Sequence, residues 1–254
     1  MNHFIELCKD KNNNYWLTVH SGSRSFGKDI AVYHEKIAVR YQKTKGRHKL
    51  TEKLKAQHRE REIETQLKLY DQRQNITIPN IPYLEGNLLD NYLSDIKLAD
   101  IFAFQSRKIM LDTIMKNMNW TSNFSFDSVH NNIDQKNNII RKGATSASKG
   151  ELLLIPLNMR DGSLICEGLG NNDWNYSAPH GAGRVLSRSQ AKEFIDLNEY
   201  KKQMKDIYTS SVTMSTLDEA PDVYKPIDDI IDNIENKTVK IVHRLKPVYN
   251  FKAH

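Results

Sequence analysis

Apolar and polar positions along the chain fall into short alternating runs and longer helical ones. Residues 2–8 and 15–20 read as strands, and Asn12-Asn13-Asn14 between them reads as a turn. Paired as a hairpin, they bring His3 and His20 to related sheet positions. Ser21-Gly22-Ser23 reads as a loop, and Lys28–Arg40 has helical spacing with Ile30, Tyr33 and Ile37 apolar. Residues 47–73 are densely charged with both signs and free of Gly and Pro, which predicts a solvated helix or helical hairpin laced with i,i+4 pairs. An RNA-gripping arm is the sharper, second reading of that segment. Two prolines make Ile76–Pro82 a linker. Asp95–Met118 is predicted as an amphipathic helix, with Ile96, Ala99, Phe102, Ala103, Ile109, Met110 and Ile114 on a wide apolar face.

Further on, Phe124, Phe126 and Val129 predict a strand over 123–129 that ends at His130. Leu152–Pro156 reads as a buried strand stopped by its proline. A strand at 163–167, a helix over about 188–205, a helix near 226–234 and a strand at 239–245 complete the pass. Strands and helices that do not alternate strictly predict an α+β fold, with mixed or antiparallel sheets and flanking helices, rather than a doubly wound sheet.

Composition narrows the picture. The chain has 254 residues, enough for one large domain or two small ones, and is 39% hydrophobic. No window approaches 18 consecutive apolar residues, and Phe4-Ile5-Glu6-Leu7 is too short for a signal peptide. A net charge of +6 suits a polyanionic partner without establishing one. Cys8 and Cys166 are too few for a disulfide framework and lack metal-ligand spacing; ordinary buried thiols in a reducing cytoplasm are expected.

The densest chemistry lies in Ser177–Arg188. His180 is followed by Gly181, Ala182 and Gly183, then by Arg184 and Arg188. Glycine lets a backbone approach a ligand closely, arginine's planar fork fits phosphate, and histidine can act as a nucleophile. The segment reads as a phosphate-handling site with a covalent histidine. A lone histidine is more often a surface or core residue than a ligand; His34, His48, His58, His243 and His254 keep that reading.

The ordered set Asn2-His3-Phe4-Ile5-Glu6, Val19-His20-Ser21-Gly22-Ser23-Arg24, Val129-His130-Asn131, Arg141-Lys142-Gly143-Ala144-Thr145, Pro179–Arg188, Glu219–Lys225 and Arg244–Val248, ending at Lys252, resembles the RtcB family of GTP-dependent RNA-splicing and RNA-repair ligases. The resemblance covers nearly the whole chain. It implies that His3, His20 and His130 bind a divalent metal, usually manganese, and that His180 attacks GTP and carries GMP. It implies guanylate contacts at Asn2, Phe4, Glu6, His130, Asn131, Pro156, Leu157, Asn158, Met159, Ser163, Gly181, Ala182, Gly183, Tyr224 and Lys252. Phosphate clamping falls to Arg24, Arg184 and Arg188. The implied partner is RNA with a 3′-phosphate or 2′,3′-cyclic phosphate on one end and a 5′-hydroxyl on the other, with GTP and Mn2+ as cofactors.

The chain departs from the family pattern in places. Leu157-Asn158 stands for Gly-Ser, Arg160-Asp161 for Gly-Thr, and Gln105-Ser106-Arg107 for Asn-Arg. Neither cysteine occupies the family's Asp-x-Gly-Cys metal motif, so residues 1–254 are expected to be a single RtcB-like catalytic domain, truncated at its N-terminus, with 47–73 as a charged helical insertion. Single-metal binding through His3, His20 and His130 is the corresponding expectation. Two other readings remain open: a catalytically incomplete RNA-end-binding or regulatory module, and a metal-dependent phosphodiesterase or phosphatase.

Overall fold

The computed structural model describes residues 3–73 and 81–252. Asn2 and the 76–80 part of the expected linker lie outside them. The chain divides into two compact units, one formed by Met1–Gly22 with Phe104–His254 and the other by Ser23–Ala103.

The first unit is built on an antiparallel sheet. β1 (Phe4–Lys9) and β2 (Tyr15–His20) form the expected hairpin, with Phe4 opposite His20. Asp10 closes its turn: one carboxylate oxygen accepts the backbone N–H groups of Asn12 and Asn14 at 2.8 and 3.0 Å, and the other accepts Asn14 Nδ2 and Trp16 Nε1. Two small ribbons follow, β3 (Ile133–Asp134) with β4 (Ile139–Ile140), and β5 (Ala144–Ser146) with β8 (Ser177–Pro179). β6 (Leu152–Asn158) and β7 (Gly162–Gly168) form a second hairpin, β9 (Tyr208–Thr209) is a short addition, and β10 (Val239–Lys252) joins everything. The sheet order is β2-β1-β10-β7-β6.

β10 is much longer than the strand expected at 239–245. Its first half pairs with β7 and its second half with β1, with a register shift in each pairing. Bulges of this kind bend a strand and let it serve two partners. The continuation past Leu245 was hidden because Lys246, Pro247 and Asn250 break the apolar alternation. It matters for the site, since it places Lys252 opposite Phe4.

Three other expectations change. Pro156 does not stop its strand: β6 is an edge of the sheet, so the missing N–H costs no ladder bond, and Pro156 pairs with Ser163 beside a bulge. Residues 123–129 are not a strand. They pass over the sheet as irregular chain, with Phe124 edge-on to Trp16 and Ser128 Oγ accepting the Leu154 N–H at 3.2 Å. The helix at 188–205 is two, α4 (Arg188–Phe194) and α5 (Leu197–Gln203), because Asp196 takes the N–H groups of Asn198 and Glu199 and starts a new helix.

The core of this unit packs Leu153, Ile155, Leu157, Leu164 and Val239 against Ile230 and Ile234 of α6 (Ile227–Ile234), with Ala178 and Ala182 included. Each fully buried isoleucine there contributes about 1.5–3 kcal/mol of transfer free energy.

In the second unit, α1 (Arg24–Ala56) turns back at His58, whose φ is positive, into α2 (Ile63–Arg73). The segment 47–73 forms the far end of this longer helical hairpin; of its ion pairs only Glu64–Lys68 has the expected i,i+4 spacing, Glu52–Lys55 and Arg59–Glu62 are i,i+3, and Arg47–Asp71 joins the two helices. α3 (Asn87–Met118) begins earlier than expected; within the unit it meets α1 through buried His34, whose Nε2 lies 2.7 Å from Asp95 Oδ2.

Candidate active site

Four rings stack in a column inside the first unit. Phe4 lies 4.8 Å from His20 between centroids, His20 lies 5.1 Å from His130, and His130 lies 4.6 Å from His180. Each member arrives on a different piece of backbone. Phe4 and His20 are cross-strand partners on β1 and β2. His130 forms an isolated bridge to Thr145 of β5, and β5 pairs with β8, which ends one residue before His180. Thr145 secures the middle of this stack of short strands by donating its hydroxyl to Val129 O at 2.9 Å.

The imidazoles are held neutral. Burial, and then the charges of His130, Lys252, His3 and His180, push His20 down to about 3. Burial and His180 push His130 down to about 4, and burial lowers His180 as well. Neutral imidazole is both the metal-ligating and the nucleophilic form.

Nε2 of His20 and Nε2 of His130 face each other at 3.3 Å. Two nitrogens each about 2.1 Å from one tetrahedral ion are separated by about 3.4 Å. The pair therefore fits a shared cation, and His3 is close enough to act on the titration of His20. Among the described residues no group of three or more His, Cys, Asp or Glu side chains is gathered as a metal site.

Arg107 ties together the chain beside His20 and the chain beside His130. Its guanidinium forks onto Asp127 at 2.6 and 2.9 Å and donates to the carbonyl of Ser21 at 3.2 Å. Ser21 follows His20, and Asp127 shortly precedes His130. Nothing in the local pattern around Arg107 points to this role, beyond its place in the departure from Asn-Arg.

The turn around His180 is shaped by glycines. Gly143, at φ +70°, accepts the His180 N–H on its carbonyl at 3.4 Å. Its own N–H is accepted by Asn131 Oδ1 at 2.5 Å, so Asn131 sets the backbone beside the nucleophile candidate. Gly181 runs against the carbonyl of Pro156, which also accepts the Ala182 N–H at 3.1 Å. Gly183, at φ +73°, accepts the Lys225 N–H at 3.2 Å.

Two buried polar networks flank Phe4. In one, Glu6 accepts Asn250 Nδ2 at 2.9 Å, Ser163 Oγ at 3.2 Å and Cys8 Sγ at 3.2 Å; burial outweighs these donors and raises its pKa. In the other, Glu219 accepts Arg184 Nη2 at 2.5 Å, Lys252 Nζ at 2.9 Å and Tyr224 Oη at 3.0 Å. Lys252 Nζ also lies 4.7 Å from the Phe4 ring centre. Thus Phe4, Glu6, Ser163, Tyr224 and Lys252, widely spread in sequence, are joined around the column.

The remaining residues divide. Leu157 and Met159 are buried in two different core clusters, which leaves only their backbone for a ligand. Asn158 shapes the β6–β7 turn by accepting the N–H groups of Arg160 and Asp161. Arg184 is also drawn to Asp218 at 3.6 Å, and Arg188 to the same carboxylate at 3.5 Å. Arg24 is exposed at the start of α1 in the second unit. Glu219 and Asn250 carry much of the site yet were not picked out individually by sequence. The signal at Asn250 was a polar residue on an inward position of β10; Glu219, among polar neighbours, offered none.

The chain belongs to the RtcB family: the family's sequence model, described as tRNA-splicing ligase RtcB, matches residues 1–253. It is similar to the RNA-splicing ligase RtcB of Escherichia coli K12, 27% identical over an alignment of 271 residues that takes in 99% of this chain and 59% of the relative. The tRNA-splicing ligase RtcB of Aeropyrum pernix is 34% identical over 129 residues, 43% of this chain and 27% of its own. That of Nanoarchaeum equitans is 26% identical over 230 residues, 74% of this chain and 48% of its own. The chain thus spans three-fifths or less of the length of these relatives. No described helix is long and apolar enough to cross a membrane.

Proposed function

We propose that this chain carries the catalytic histidine of an RNA ligase that joins a 3′-phosphate, or a 2′,3′-cyclic phosphate once opened, to a 5′-hydroxyl, with GTP and manganese. The observation that carries the reading is the stacking of His180 on His130 at 4.6 Å, which sets a neutral imidazole at the end of a histidine column.

A neutral ring nitrogen of His180 attacks the α-phosphorus of GTP. An N–P bond forms, a P–O bond breaks, and pyrophosphate leaves with that electron pair. An oxygen of the RNA 3′-phosphate then takes the guanylate from His180, whose nitrogen recovers its lone pair. The 5′-hydroxyl attacks the RNA phosphate, loses its proton and displaces GMP. One hard displacement becomes three easier ones.

In this reading Glu6 and Lys252 bind and orient the base and Phe4 supports it. The Gly181-Ala182-Gly183 backbone lets phosphate approach, and Asn131 holds the Gly143 backbone beside His180. His20 and His130, with His3, would hold manganese, which supplies neutralisation of phosphate charge. Arg184 and Arg188 face phosphate only by exchanging their carboxylate partners. Asn2 belongs to the proposed guanylate set by its sequence position, and Pro156 by its carbonyl beside Gly181.

Manganese and GTP labelled on the α-phosphate, followed by denaturing electrophoresis, test the reading. An acid-labile label on the wild type and none on His180→Ala is expected. Equal labelling of both proteins, or none on folded, metal-loaded wild type, overturns it.

A further inference from the structure

The charge of α1 is lopsided. Between residues 36 and 55 it carries Lys36, Arg40, Lys43, Lys45, Arg47, Lys49, Lys53 and Lys55 against the single acid Glu52. Some of this charge is answered within the second unit: Lys45 pairs with Glu85 at 2.6 Å, Arg47 with Asp71, and Lys55 with Glu52. Lys36, Arg40, Lys43, Lys49 and Lys53 are exposed, and none makes an ion pair with a described carboxylate.

Three of those five fall on one face. Tyr33, Lys36, Arg40 and Lys43 follow each other at steps of three, four and three residues, which keeps them on a single stripe. The opposite face is the buried one, where His34 and Ala38 sit. From Lys36 to Lys43 the stripe covers about 10 Å of helix axis, at about 1.5 Å per residue. Tyr33, at its head, is 60% exposed. Like charges three and four apart destabilise the helix that carries them; a linear polyanion removes that cost.

We infer that the stripe Tyr33, Lys36, Arg40 and Lys43 on α1 binds the phosphate backbone of RNA, with Tyr33 offering a ring on which a base stacks. This rests on the ligase reading for the identity of the polyanion. Cations at regular spacing with an aromatic at their head match a strand of phosphates and bases. An anionic membrane is a poorer match, because a surface-lying helix needs a broad apolar face beside its charges. Here the flanking apolar positions are only Val32, Ile37 and Val39, and the last two are half-buried.

The test is salt-dependent binding of a fluorescent single-stranded RNA to the whole chain. The proteins are the wild type, a Lys36→Gln/Arg40→Gln/Lys43→Gln variant, and a charge-keeping Lys36→Arg/Arg40→Lys/Lys43→Arg control. Each neutralised phosphate contributes about 0.7 to the slope of log affinity against log salt on a single strand. The glutamine variant is therefore expected to show a slope shallower by about 2 and weaker binding at low salt, with the control unchanged. Tyr33→Ala should weaken binding while leaving the slope alone.

Unchanged slope and affinity in the glutamine variant overturn the inference, as does wild-type binding to phosphatidylserine vesicles without binding to RNA. GTP labelling is read on the same proteins. Labelling preserved with RNA binding lost supports both readings. Wild-type labelling absent, with salt-linked RNA binding that the variant loses, removes the ligase reading and leaves the stripe in place.

Discussion

His130 and His180 lie ring on ring, with 4.6 Å between centroids and 28° between planes. Thr145 makes the arrangement, because it bridges His130 and pairs with Ala178, two residues before His180. A two-residue mismatch in such short pairings would separate the rings, so the register of β5 against β8 is part of the site's chemistry and not only of its fold.

Burial of neutral imidazoles has a stability consequence. His20 is pushed down to about 3 and His130 to about 4, while both titrate near 6.5 in the unfolded chain. The unfolded state therefore binds protons first as pH falls, and the stability these groups contribute above pH 6.5 is lost on the way down to their folded values. Between pH 7.5 and 5 the loss should be roughly 2 kcal/mol per histidine. Urea midpoints at the two pH values measure it. His20→Gln/His130→Gln should flatten the profile, and an equally steep profile in that variant would assign the acid sensitivity elsewhere.

Arg107 should act on metal binding without touching the metal. Arg107→Gln frees both the Ser21 carbonyl and Asp127, and loss of such an outer support typically costs 10- to 100-fold in metal affinity. Manganese titration followed by the shift in melting temperature gives the affinity. Arg107→Lys, which keeps the charge but not the fork, should fall between. If all three proteins bind manganese alike, Arg107 is structural only.

Two glycines should respond differently to alanine. Gly162, at φ +79°, closes β6–β7 directly against the Leu245 carbonyl, and a Cβ there collides with backbone. Gly143, at φ +70°, has only His180 near, with Cδ2 3.9 Å from an added Cβ. Gly143→Ala meets strain without collision and should cost about 1–2 kcal/mol. Gly143→Asn should cost less, because asparagine tolerates that region. Gly162→Ala should cost more than either. Denaturant midpoints rank the three, and equal costs would mean that backbone strain, not the Leu245 contact, decides both sites.

The reading from sequence succeeded where one local pattern sufficed. Asn12–Asn14 between two apolar runs gave the first hairpin, and interleaved charges gave the α1–α2 hairpin. It failed where a neighbour in space decided. Pro156 continues a strand because β6 is an edge, which no pattern within 152–158 reveals. Residues 123–129 have strand-like spacing, yet they meet the free edge of β6 through the Ser128 side chain and not through a backbone ladder. The histidines were legible as motifs, and their ring-on-ring order was not, because it depends on β5, whose Ala144-Thr145-Ser146 carries no apolar signal. Glu219 stayed inconspicuous for a related reason: its charged partners Arg184 and Lys252 come from two distant segments.

That carboxylate is the most exacting test of the site's construction. Glu219 and Lys252 are both buried, and Glu219 answers Arg184 as well. Glu219→Gln keeps the shape but leaves Lys252 without its counter-charge and Arg184 with only Asp218, 3.6 Å away, and breaking a buried pair on one side costs about 3–5 kcal/mol. Lys252→Met removes one of those cations and leaves Glu219 still bound by Arg184 and Tyr224, so it should cost less. In the double variant Lys252 no longer needs an answer and Arg184 keeps Asp218, so the cost should be smaller than the sum of the singles. A double-mutant cycle on urea unfolding measures this coupling. Simple additivity would mean that the ion pair contributes nothing to stability, and Lys252 would then be held at Phe4 by the β1–β10 register alone.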